Sequence, residues 1–102
     1  MHREFKKVLK QMLDDDFEEL VNSFVQNLEE EGEPIPEYCE ETTAIYKDDY
    51  TFGEALKNGF FPDLTDEEYW DIFRKTLEEL GEKFYEDEDG FEIRRLIILK
   101  EE

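Results

Sequence analysis

The chain has 102 residues, with 12 Lys and Arg against 31 Asp and Glu, for a formal charge of -19. A direct binder of DNA, RNA or an anionic membrane surface needs cations to meet phosphates, so those classes are excluded. No run of about 18 apolar residues is present to span a bilayer.

The first residues turn amphipathic at once (Met1, His2, Arg3, Glu4, Phe5). They carry no apolar h-region, so no signal peptide is read and a cytoplasmic protein is expected. Phe5, Val8, Leu9, Met12 and Leu13 recur at three- and four-residue steps, as do Phe17, Leu20, Val21, Phe24 and Leu28. That period predicts helix. One long helix or two are open, and a break or bend near Asp14-Asp15-Asp16 is favoured, with Asp16 as an N-cap. Gly32, Pro34 and Pro36 stop the helix.

Residues 33 to 50 read as irregular, with one strand candidate at Thr42 to Lys47. Thr51 and Glu54 form a capping box that opens a short helix, Phe52 to Asn58, closed by Gly59. A second box, Thr65 with Glu68, opens a helix with Tyr69, Ile72, Phe73, Thr76 and Leu80 on one face. Trp70 and Leu77 flank that face, and Gly81 ends the helix.

A hairpin closes the pattern: Lys83 to Tyr85, a turn at Glu86 to Gly90, and Phe91 to Lys100. Phe91, Ile93, Ile97 and Leu99 share one face of the last strand, and Leu96 and Ile98 point to the other. A strand apolar on both sides is usually central in its sheet, though Leu96 to Leu99 is also a candidate dimer edge. The expected fold is α+β: N-terminal helical segment(s), two further helices and a small antiparallel sheet with the C-terminal β-hairpin. Residues 1 to 102 read as a single acidic domain. Leu, Ile, Val and Phe number 28 of the 102 residues. That exceeds the roughly 20% below which a charged chain stays disordered.

Catalytic and metal chemistry find little support. Cys39 is the single cysteine, and the only histidine is His2. A buried Cys39 is the expectation. Ser23 is the only serine and lies in a helical pattern, and no glycine-rich phosphate loop occurs. Asp87, Asp89 and Gly90 match positions 3, 5 and 6 of an EF-hand loop. Tyr85 and Leu96 would then fill positions 1 and 12, where carboxylates belong. The reading is therefore not an enzyme, with no cofactor and no metal site.

The charge is uneven along the chain. Residues 1 to 11 carry a net +3, residues 12 to 49 a net -13, residues 50 to 85 a net -5 and residues 86 to 102 a net -4. The first helical region has its bases first and Glu29, Glu30 and Glu31 last, against the helix dipole. The later helix has supporting pairs instead: Asp71 with Lys75, Arg74 with Glu78, and Lys75 with Glu79. Much of the acid in residues 14 to 49 therefore has no local structural explanation.

Such acidity suits a partner with a basic surface, because complementary charge speeds capture. Enzymes with basic clefts are chiefly nucleases and other nucleic-acid proteins. In size, acidity and lack of catalytic groups the chain resembles bacterial immunity proteins, the cognate inhibitors of nuclease toxins. The resemblance is one of type and rests on no motif. A phage-type DNA mimic against a restriction or CRISPR effector is the alternative. An acidic adaptor or chaperone-like protein ranks last, since only Glu101 and Glu102 resemble a tail. The expected partner-binding residues are Glu37, Tyr38, Glu40, Glu41, Tyr46, Asp48, Asp49 and Tyr50. There acids are interleaved with tyrosines, which are enriched at interface hot spots. Trp70 reads as a core residue before an anchor.

Overall fold

A computed structural model describes residues 2–48 and 52–100. Asp49, Tyr50, Thr51 with its capping box, and Glu101 and Glu102 lie outside the described residues. The first helix, α1, runs from His2 to Glu31 without a break. At about 1.5 Å per residue it is about 45 Å long, and it sets the long axis of a molecule measuring 51 × 26 × 22 Å.

The break expected near Asp14-Asp15-Asp16 does not occur. Phe5, Leu9, Leu13 and Phe17 are buried at four-residue steps, so the same face stays inside across the three aspartates. Asp14 is neutralised from two sides, by Lys10 at 2.7 Å and by Arg95 at 2.8 Å. Burial would raise its carboxyl, but the hydrogen bonds from Lys10 and Arg95 hold it below the usual range. The helix ends in a Schellman motif. Gly32 has φ 71°, and the Glu33 N–H donates to the Leu28 carbonyl at 2.9 Å.

Strand β1 spans Tyr38–Tyr46, four residues earlier than the expected Thr42 start. Glu40 and Glu41 hide the alternation in the sequence. Antiparallel pairing with β3 (Gly90–Ile98) carries the strand through them, from Tyr38 opposite Ile98 to Tyr46 opposite Gly90. Helix α2 covers Phe52–Phe60 and passes straight through Gly59, where its end was expected. Helix α3 spans Asp66–Glu79 and opens on the expected box. Glu68 N–H donates to Thr65 Oγ1 at 3.2 Å, and Thr65 N–H donates to the Glu68 carboxylate at 3.1 Å. Its buried face is rotated from the expected one: Trp70 and Leu77 go inside, while Ile72 and Leu80 are half-buried.

Strand β2 (Lys83–Glu86) completes a sheet of order β1-β3-β2, antiparallel throughout. The central place of β3 agrees with its two apolar sides. The fold is α+β, with three helices and a three-stranded antiparallel sheet. The inward side chains of the sheet, Ile45, Phe91 and Ile93, join the helices' buried residues in one cluster. Aromatic rings link its parts, with Phe73 5.0 Å from Phe91 and 5.2 Å from Trp70 between centroids. Such tilted and edge-on pairs add to the stabilisation from buried area.

Two glycines are required by close approach. A Cβ on Gly90 would lie 2.1 Å from the Ile45 carbonyl oxygen, inside the strand pair. A Cβ on Gly53 would lie 2.8 Å from the Trp70 ring. The Gly53 carbonyl also accepts a hydrogen bond from the Tyr69 hydroxyl, and burial there pushes that phenol's pKa up.

Candidate protein-binding face

The inner face of the sheet is occupied and its outer face is not. Along β1 the outward positions are Tyr38, Glu40, Thr42, Ala44 and Tyr46, all exposed. Opposite them on β3 stand Ile98, Leu96, Arg94, Glu92 and Gly90. From β2 come Lys83 and Tyr85. Among the described residues, five large apolar side chains are exposed. They are Tyr38 (58%), Tyr46 (54%), Tyr85 (64%), Leu96 (62%) and Ile98 (58%). All five stand on this one face. Scattered exposed apolar residues are ordinary, but here they gather on one face, in a cluster at each end.

The face has two ends. At one, Tyr38, Leu96 and Ile98 form an apolar corner. At the other, Tyr46 and Tyr85 stand on either side of Gly90 and Glu92. A depression of about 280 Å³ opens there, lined also by Asp87 and Asp89. The turn below it is closed by its own hydrogen bonds. The Asp87 carboxylate accepts from the N–H groups of Asp89 (2.8 Å) and Gly90 (3.1 Å). Two tyrosines and three carboxylates can receive a cationic side chain through ring faces and charge.

Two inward charges of the sheet, Glu86 and Arg95, are neutralised. Glu86 on β2 accepts from Arg74 of α3 and, at 2.7 Å, from Lys47, which follows β1. The hydrogen bonds from Arg74 chiefly, then from Lys47, overcome the opposing effect of burial and lower its carboxyl to about 2. Arg95 donates to Glu82 at 2.6 and 3.0 Å and to Asp14, and stacks over the Phe17 ring. Arg74 thus turns to Asp71 and Glu86 rather than to Glu78. Glu79 meets Lys6 of α1 rather than Lys75.

The other acids are treated differently. No base occurs between Lys10 and Lys47. Among the described residues no ion pair reaches Asp16, Glu18, Glu19, Glu29, Glu31, Glu33 or Glu37. Asp16 is half-buried, and its carboxyl is raised by that burial and by repulsion from Glu19 and Asp15.

The expected partner-binding residues separate in three dimensions. Tyr38, Glu40 and Tyr46 lie together on the outer face, where Glu40 also meets Arg94 at 3.5 Å. Glu41 points to the opposite side and is half-buried. There it adds to the effect of burial in pushing the Cys39 thiol up. Cys39 is buried, as expected. Glu37 and Asp48 sit beyond the two ends of β1, whose nine residues span about 30 Å at about 3.3 Å each. Trp70 belongs to the core. Tyr85, Leu96 and Ile98 were not expected at the surface site. The available signal was the second apolar face of β3, which in a central strand is either covered or left for a partner.

Among the described residues no group of three His, Cys, Asp or Glu side chains gathers as a metal site, and no helix is long and apolar enough to cross a membrane. Comparison with protein-family models, curated proteins and solved structures finds no match.

Proposed function

We propose that the protein is an acidic inhibitor that binds the basic, nucleic-acid-binding cleft of a partner, in the manner of an immunity protein neutralising a nuclease toxin. The observation that carries this reading is the open sheet face. It combines exposed tyrosines and aliphatic anchors with carboxylates at its Tyr46 end, on a molecule of charge -19. Aromatic anchors supply the short-range energy, and the charge supplies fast approach to a cationic surface. A cytoplasmic location and the absence of catalysis belong to the same proposal.

The second reading, a DNA mimic, is supported by α1. Its base-free run of acids extends along the long axis of the molecule, as phosphates do along a duplex. The two readings differ in what they need. Inhibition through the sheet face needs Tyr46 and Tyr85, whereas mimicry needs the acids of α1.

The test is capture of the partner from a producing bacterium, followed by association kinetics at increasing salt. A single cognate nuclease is expected, inhibited at one-to-one stoichiometry and bound at least tenfold more weakly after Tyr46→Ala with Tyr85→Ala. Capture of many DNA-binding proteins, displaced by duplex DNA, favours mimicry. Association that ignores salt refutes both.

A further inference from the structure

β1 is an edge strand, and its hydrogen-bonding parity can be read from its ends. Lys47 N–H donates to the Asp89 carbonyl at 2.8 Å, and Leu99 N–H donates to the Glu37 carbonyl at 2.8 Å. In the register of Tyr38 opposite Ile98, the odd-numbered residues of β1 therefore exchange hydrogen bonds with β3. The N–H and C=O groups of Glu40, Thr42 and Ala44 turn the other way, toward an edge that no strand of the sheet occupies.

Natural proteins blunt such edges with charged side chains, Lys above all, with inward-pointing charges, Pro, bulges or very short strands. Here the edge runs for nine residues, and its middle, Glu40-Glu41-Thr42-Thr43-Ala44, holds no Lys or Pro; its charges are two acids, which guard it against another acidic strand and suit a cationic one. The register is continuous, without a bulge. A cleft of about 430 Å³ lies alongside it, between Thr42, Thr43 and Ala44 on β1 and Asp16, Glu19, Leu20 and Ser23 on α1. The side chains on the strand side are short, so an added backbone can approach to strand spacing. On the helix side stand Asp16 and Glu19, which meet no base among the described residues.

We infer that an extended, lysine- or arginine-bearing segment of the basic partner adds to the free edge of β1 as a fourth strand, with its cationic side chains reaching Asp16 and Glu19. Strand addition takes its affinity from main-chain hydrogen bonds and its selectivity from alternate side-chain contacts. Charge chooses the occupant. A second copy of this chain would bring two sets of Glu40, Asp16 and Glu19 together on molecules that each carry -19. A cationic segment neutralises them instead. The added strand would also widen the tyrosine face, so this inference rests on the proposed inhibitor reading and specifies how the partner is held.

The probe is a decapeptide alternating lysine and threonine, with a twin N-methylated at every second residue. Binding is followed by amide hydrogen exchange resolved by NMR on the full chain. Saturable binding in the range below about 100 μM is expected, with exchange at Glu40, Thr42 and Ala44 slowed at least tenfold. Exchange at Glu41 and Thr43, already bonded to β3, should not change. The N-methylated twin should bind at least tenfold more weakly. Thr42→Pro removes an outward N–H and no ladder bond, so it should keep the fold and abolish the protection.

Equal binding of both peptides, or protection without regard to parity, overturns strand addition while leaving the salt-sensitive inhibitor reading in place. Absence of binding overturns it as well. Protection of the same amides that rises with protein concentration without peptide assigns the edge to a second copy and also overturns it.

Discussion

Glu86 joins three elements, and its removal has a calculable consequence. Its carboxylate on β2 meets Arg74 of α3 through two nitrogens, one at 3.0 Å, and Lys47 after β1 at 2.7 Å. Glu86→Gln keeps the shape and removes the charge. The folded carboxyl titrates at about 2 against its ordinary 4.5. At about 1.4 kcal/mol per pH unit this gap corresponds to about 3 kcal/mol. The Glu86 side chain is 19% exposed and that of Arg74 is 37% exposed. Solvent screening at the arginine therefore reduces the expected loss to about 2 kcal/mol.

The sign with pH follows from a folded pKa below the unfolded one. The stabilisation is complete above about pH 4.5 and is lost as pH falls toward about 2. Urea unfolding of both proteins from pH 2 to pH 7 measures this. The difference should stand at its full value at pH 7 and vanish by about pH 2. A difference constant across that range would show that shape or packing is responsible, and the ion-pair argument would fail.

Other perturbations test separate parts of the structure. Gly90→Ala places a methyl 2.1 Å from the Ile45 carbonyl, so the strands must part. A loss of about 2 kcal/mol is expected for such overpacking, which calorimetry would read as a melting temperature lower by about 10 °C. Asp16→Asn relieves a carboxyl disfavoured by burial and by Glu19 and Asp15. At pH 7 it should stabilise the fold by about 0.5 kcal/mol, the scale of like-charge pairs on a helix. The gain should shrink as pH falls through the carboxyl's raised pKa, because the native residue then also becomes neutral. The same substitution should weaken the lysine-bearing peptide, which would mark Asp16 as a residue kept for binding against stability.

Local rules made the later helix and the hairpin legible. The Thr65 box and the stop at Gly81 satisfy orphan backbone groups within a few residues, so no distant partner is needed to recognise them. The two apolar sides of β3 likewise announced a central strand. Where the reading failed, a distant residue decided. Asp14 holds its place in an unbroken α1 because Arg95 reaches it from β3. β1 starts at Tyr38 because β3 pairs with it, although Glu40 and Glu41 read as loop. The rotation of α3 that buries Trp70 follows the space left beside Gly53 and Phe91.

The candidate site divides in the same way. The sequence by itself determined the charge, its concentration in residues 12 to 49 and the single Cys, His and Ser, since these need only residue identity and position along the chain. Only the tertiary structure decided which of those residues face the same side. Strand parity sends Glu40 outward and Glu41 inward, though they are neighbours in sequence. Pairing brings Tyr85, Leu96 and Ile98 beside Tyr38 and Tyr46. The reason is geometric: a binding face is assembled across strands by register, and register depends on contacts between residues far apart in the chain.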